Sequence, residues 1–79
     1  MKREEIFEKL NEIFREVFED DSIEVLETTS SADIEDWDSL THITLIAAVE
    51  DEFDIKFAMK DVIGMKNVGE MVDIIMEDM

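Results

Sequence analysis

The first twenty residues leave little choice of secondary structure. Ile6, Phe7, Leu10, Ile13, Phe14, Val17 and Phe18 recur at steps of three and four, the spacing that gathers side chains along one face of an α-helix. The spacing predicts a helix over Lys2–Asp20, with Glu5 and Lys9 as a helix-spaced opposite-charge pair away from the stripe. Three phenylalanines on such a stripe read as core. The same period returns over Asp38–Glu52, where Leu40, Ile43, Ile46, Ala47 and Phe53 are expected to face the core and Leu45, Ala48 and Val49 widen the arc. It returns again from Val68 to about Glu77, with Val68, Met71, Val72, Ile75 and Met79 on the stripe and Ile74 and Met76 at its borders.

Nothing in the chain competes with helix. There is no proline, there are two glycines, and apolar–polar alternation of the kind a strand needs is scarce. The expected fold is all-α: a small four-helix bundle, three main helices plus a short third one, with a long loop between the first two. That loop, Asp21–Trp37, has no helical period and carries the polar break Thr28-Thr29-Ser30-Ser31; Ile23, Val25, Leu26 and Ile34 are expected to pin it to the core. The connector Asp54–Met65 is expected to hold the short helix near Met59–Ile63, stopped at Gly64 by a residue that takes the left-handed conformation cheaply. Asn67-Val68-Gly69-Glu70 reads as a capping box, an amide cap with a glutamate three residues on. Seventy-nine residues suit one domain, 1–79.

Charge narrows the partners. Seven basic against 23 acidic residues give a net charge of −16, and between Glu16 and Ile55 there are 14 acids and no Lys or Arg. Such a surface repels nucleic acid and anionic lipid and attracts basic patches on proteins. With no Cys, disulfides, thiolate metal sites and cysteine nucleophiles are excluded. No apolar run approaches the roughly 20 residues of a membrane span, and the expected location is the cytoplasm. The acids Asp33, Glu35, Asp36 and Asp38 do not make a calcium loop: counted from Asp33, the sixth residue is Asp38 where glycine is needed and the twelfth is Thr44 where glutamate is needed. No metal ligands are assigned.

The stretch Glu35-Asp36-Trp37-Asp38-Ser39-Leu40-Thr41-His42-Ile43 is where the loop turns into the second helix. Asp38 or Ser39 can cap it, and the unpaired N–H groups of a first helical turn tolerate a phosphate. Ser39 is thus placed to receive a phosphate-linked group. Ser39 and His42 could suggest a nucleophile and base, but an orienting group and an oxyanion hole are missing from the pattern, and the chain is too small to enclose a substrate. No catalytic residue is assigned, the chain is expected not to be an enzyme, and His42 is expected on the surface beside Ser39.

The motif Asp38-Ser39-Leu40, the helix ending Val49-Glu50-Asp51-Glu52-Phe53-Asp54-Ile55 and the later Asn67-Val68-Gly69-Glu70 resemble an acyl carrier protein over nearly the whole chain. The resemblance implies that Ser39, flanked by Asp38 and Leu40, carries 4′-phosphopantetheine, donated from coenzyme A by a phosphopantetheinyl transferase with magnesium. It implies that the thiol holds the cargo as a thioester. It also implies that the second helix docks on acyl- or aminoacyl-loading and transfer enzymes through Leu40, Glu50, Asp51 and Glu52, the chain itself being a monomer. Carriers of fatty acid synthesis have Gly-Ala before the motif, acids where Thr41 and Thr44 stand, and a proline where Ala58 stands. The Trp-Asp-Ser-Leu form resembles dedicated stand-alone carriers. The wide apolar arc of the second helix fits a helix packed on several sides, and also an exposed patch for a partner or acyl chain. The competing function is an unmodified acidic helical module that binds a basic partner.

Overall fold

The computed structural model describes residues 2–78, in which four helices and no strand are found: α1 Arg3–Val17, α2 Ser39–Phe53, α3 Met59–Gly64 and α4 Val68–Asp78. α1 packs on α2 and α4. Its stripe supplies Ile6, Leu10, Ile13 and Phe14 to the core and Phe18 follows just beyond, while Phe7 and Val17 are half-buried at the edge. α4 answers with Val68, Met71, Val72 and Ile75, all fully buried. Met79, placed on that stripe from the sequence, lies outside the described residues.

α2 corrects the sequence reading. Its core face is Leu45, Ile46, Val49 and Phe53. Leu40, Ile43 and Ala47, expected inside with Ile46, are exposed, Leu40 by 76% and Ile43 by 65%. A helix that is apolar round most of its circumference has no single best stripe, so periodicity cannot say which side its neighbours cover.

Left-handed turns fall on acids rather than on glycine. α1 ends three residues before Asp20 because Glu19 turns left-handed at φ 51°. The Asp20 N–H then reaches Arg15 O at 3.0 Å and the Glu19 N–H reaches Glu16 O at 3.3 Å, a pair of bonds that closes the orphan carbonyls of the last turn. Asp54, φ 55°, ends α2 in the same conformation. Gly64, expected to stop α3 by that route, does not have positive φ and is the last residue of the helix.

The loop from 18 to 38 is ordered by backbone bonds. Asn11 Oδ1 accepts the Val25 N–H at 2.7 Å and Arg15 Nε donates to Ile23 O at 2.7 Å, so α1 holds the descending limb. The N–H groups of Val68 and Gly69 donate to Thr29 O and Glu27 O at 2.8 and 2.9 Å, which uses two orphan donors of α4. Arg3 adds an ion pair to Glu27 and another to Asp73 at 2.8 Å. Of the four loop residues expected to pin it, Val25 is buried, Ile23 and Ile34 are half-buried, and Leu26 is 59% exposed, a correction. The main apolar anchor is Trp37, whose ring meets Phe14 edge-on at 5.3 Å and lies 6.3 Å from Phe18.

Candidate functional site

Asp38 fixes the corner. Its Oδ1 accepts the Leu40 and Thr41 N–H groups, each at 3.0 Å, and Thr41 Oγ1 accepts the Asp38 N–H at 2.7 Å while donating to Asp36 O at 2.8 Å. Thr41, standing where carriers of fatty acid synthesis have an acid, thereby closes a capping box. Ser39 is the first residue of α2 and is exposed. Among the described residues its hydroxyl takes no hydrogen-bond partner, so it is free to be substituted.

The same bonds set the charge state of Asp38. The Thr41 N–H contributes most and, with the Leu40 N–H beside it, holds its carboxyl below the ordinary carboxylate range against the cost of desolvation. A lowered folded-state pKa adds stability above the unfolded value, about 3.9, and that stability is lost as pH falls through the lower folded value. Acidification also relieves the general repulsion of a chain with net charge −16, so the cap shows only by difference. Asp38→Asn keeps an acceptor that does not titrate. Urea unfolding followed below pH 4 is expected to show the wild type losing stability relative to Asp38→Asn as pH falls; parallel profiles would remove the carboxylate from the cap.

Beyond Ser39 opens a cleft of about 810 Å³. Ile43, Ile46 and Ala47 of α2 form one wall, Met59, Val62 and Ile63 of α3 the other, and Phe57, Met65 and Lys66 close its far side; Trp37, Asp38 and Ser39 stand at its rim. Exposed Leu40, Ile43, Met59 (73%) and Ile63 (77%) make an apolar surface beside it. One side of α2 is therefore core and another is exposed apolar surface.

His42, expected on the surface, is half-buried and committed on both sides. Its Nδ1 accepts the Trp37 indole N–H at 3.0 Å and its Nε2 lies 3.0 Å from Val62 O. Of the three acids at the far end of α2, Glu50 is half-buried and its Oε2 accepts the Phe57 N–H at 2.7 Å. Asp51 and Glu52 are exposed, Glu52 within 3.7 Å of Lys9. Sequence reasoning missed Trp37 as a core residue and the His42 bridge, since a loop has no period and a five-residue spacing has no signature. The Asn67 cap is present, Oδ1 accepting the Glu70 N–H at 2.9 Å, but the Glu70 carboxylate returns to the Lys66 N–H instead of Asn67.

The family model for a phosphopantetheine attachment site matches residues 8–75. The chain belongs to the acyl carrier protein family. It is 32% identical over 75 residues to the acyl carrier protein of Lactobacillus acidophilus, covering 95% of this chain and 94% of that one. It is 36% identical over 72 residues to that of Streptococcus thermophilus, covering 91% and 93%. The solution structure of a holo acyl carrier protein from Geobacter metallireducens superposes with a TM-score of 0.86 at 43% identity, covering 91% of this chain and 83% of that one. The family's prosthetic group is covalent 4′-phosphopantetheine, its members are carriers that work with partner enzymes, and no described helix of this chain is long and apolar enough to cross a membrane.

Proposed function

We propose that the chain acts as one carrier domain, residues 1–79, in which Ser39 holds the 4′-phosphopantetheine arm and the cleft between α2 and α3 shelters the cargo. The observation that carries this is the unpartnered, exposed Ser39 hydroxyl on a rigidly capped corner that opens directly on apolar walls. Attachment forms a Ser39 Oγ–phosphorus bond, releases adenosine 3′,5′-bisphosphate from coenzyme A and sheds the hydroxyl proton; a separate transferase with magnesium does this work. The bound arm supplies a thiol that holds a thioester. Asp38 contributes by holding the corner, its own charge balanced by two N–H groups and the positive helix end. Leu40 contributes an exposed apolar contact beside the arm. The chain has no catalytic role in this reading, functions as a monomer and resides in the cytoplasm.

A thiol assay tests the reading simply, because the chain has no Cys. Incubation with coenzyme A, magnesium and a phosphopantetheinyl transferase, followed by gel filtration, is expected to yield one titratable thiol per chain. A chain that remains thiol-free with several transferases would point to the unmodified interaction module.

Docking on basic enzyme patches is assigned to Asp51 and Glu52, with Glu50 acting through Phe57 rather than directly. Both exposed acids sit at the C-terminal end of α2 with no basic residue in its last turn, where the helix dipole disfavours negative charge. They lie about 18 and 20 Å along the helix from Ser39, taking about 1.5 Å per residue. Asp51→Lys and Glu52→Lys are expected to weaken binding to a loading enzyme and flatten its salt dependence; Asp51→Lys should also raise the melting temperature slightly, since a cation suits that helix end, whereas Glu52→Lys gives up its pair with Lys9. Unchanged affinity in both variants, with wild-type binding indifferent to salt, would reject the assignment.

A further inference from the structure

We infer that His42 is the positioning residue that holds α3 over the cleft, acting as a two-sided strut between Trp37 and Val62. α3 has six residues, none of them buried, and a helix that short does not persist on its own bonds. What holds it is a short set of contacts. Val62 and Met65 are half-buried against the core, the Phe57 N–H ahead of it is held by Glu50, and Val62 O faces His42 Nε2 at 3.0 Å. The other ring nitrogen accepts from Trp37, and the two rings stack with centroids 5.9 Å apart at 29°. Trp37 in turn is wedged against Phe14 and Phe18. The imidazole therefore transmits the position of the core, through the loop, to the one helix that contributes no buried residue.

The chemistry permits one ring state. An indole N–H only donates and a carbonyl only accepts, so Nδ1 must be bare and Nε2 must carry the proton. Asp38 is committed to the cap of α2 and Glu50 to Phe57, so neither carboxylate competes with Trp37 or Val62 for the ring. Use of the cleft for cargo rests on the carrier reading; the strut does not.

The test uses the unmodified full chain, so it stands apart from loading at Ser39. His42→Gln sets a non-titrating N–H donor near the position of Nε2 and keeps Val62. His42→Asn sets an acceptor near Nδ1 and keeps Trp37 alone, and His42→Leu keeps neither. At pH 7.5, amide exchange of Val62, Ile63 and Gly64 is expected to speed up at least about tenfold in the Asn and Leu variants and by under about threefold in Gln, with amides of Leu10, Phe14 and Val72 changing by under about threefold throughout. Amides of α3 that are unprotected in the wild type, that respond equally in all three variants, or that move in step with α1 and α4 would each overturn the inference.

Discussion

Phe14→Ala is expected to cost about 3–5 kcal/mol of unfolding free energy, the range for deleting a buried aromatic side chain. Phe14 is fully buried on α1 and packs its ring against both Phe18 and Trp37, so its loss removes transfer energy and leaves a cavity that three elements surround. A domain of 79 residues, at about 0.05–0.15 kcal/mol per residue, holds only about 4–12 kcal/mol in total. Urea unfolding should show a much lower midpoint with an unchanged slope, and a partly unfolded population at 37 °C. The effect reaches the site, because Trp37 loses its edge-on partner and the loop that delivers Asp38 loses its main apolar anchor. A loss under about 1 kcal/mol would show that the cavity collapses easily and that this cluster is not the keystone of the bundle.

The two glycines are expected to respond to alanine in opposite directions. A Cβ on Gly69 would lie 2.8 Å from the backbone carbonyl oxygen of Glu27 and 3.3 Å from the Glu27 Cβ, whereas one on Gly64 meets nothing within 4 Å. The Gly69 N–H is bonded to that same carbonyl, so the loop cannot retreat without breaking the bond. Helix propensity favours alanine by about 1 kcal/mol at either position. Overpacking at Gly69 costs about 1–3 kcal/mol, and the release of Arg3 from Glu27 adds to it. Gly69→Ala should lower the thermal midpoint and loosen the Glu27–Thr29 segment, and Gly64→Ala should raise the midpoint. Two variants of equal sign would mean that helix propensity alone governs both sites.

How far the sequence reaches depends on whether a segment has one covered face. The core faces of α1 and α4 were legible, since Ile6, Leu10, Phe14, Met71, Val72 and Ile75 lie on single stripes at helical spacing. α2 was legible as a helix and illegible as a face: Ile43 falls on the stripe with Leu40, Ile46 and Ala47, Leu45 falls in the widened arc, and only the packing of α1 on α2 decides that Leu45 is core and Ile43 open. Capping chemistry is local, so Asp38 and Asn67 could be read directly. The left-handed turns at Glu19 and Asp54 could not, because an acid stands in each at the position where glycine is the usual signal. The corner that bears Ser39 was visible as a motif, while Trp37 and His42, which brace it, meet partners far along the chain and leave no periodic trace.

The account stands or falls on one side chain. Wild-type protein and Ser39→Ala, each treated with coenzyme A, magnesium and a phosphopantetheinyl transferase, are to be compared by intact mass. Ser22, Ser30 and Ser31 remain in both chains as internal controls, lying in or near the loop without a capped helix start. The expected result is a gain of one phosphopantetheinyl group in the wild type and none in Ser39→Ala, with the helical circular dichroism of the variant unchanged. A mass gain that survives in Ser39→Ala would contradict the assignment of the attachment site.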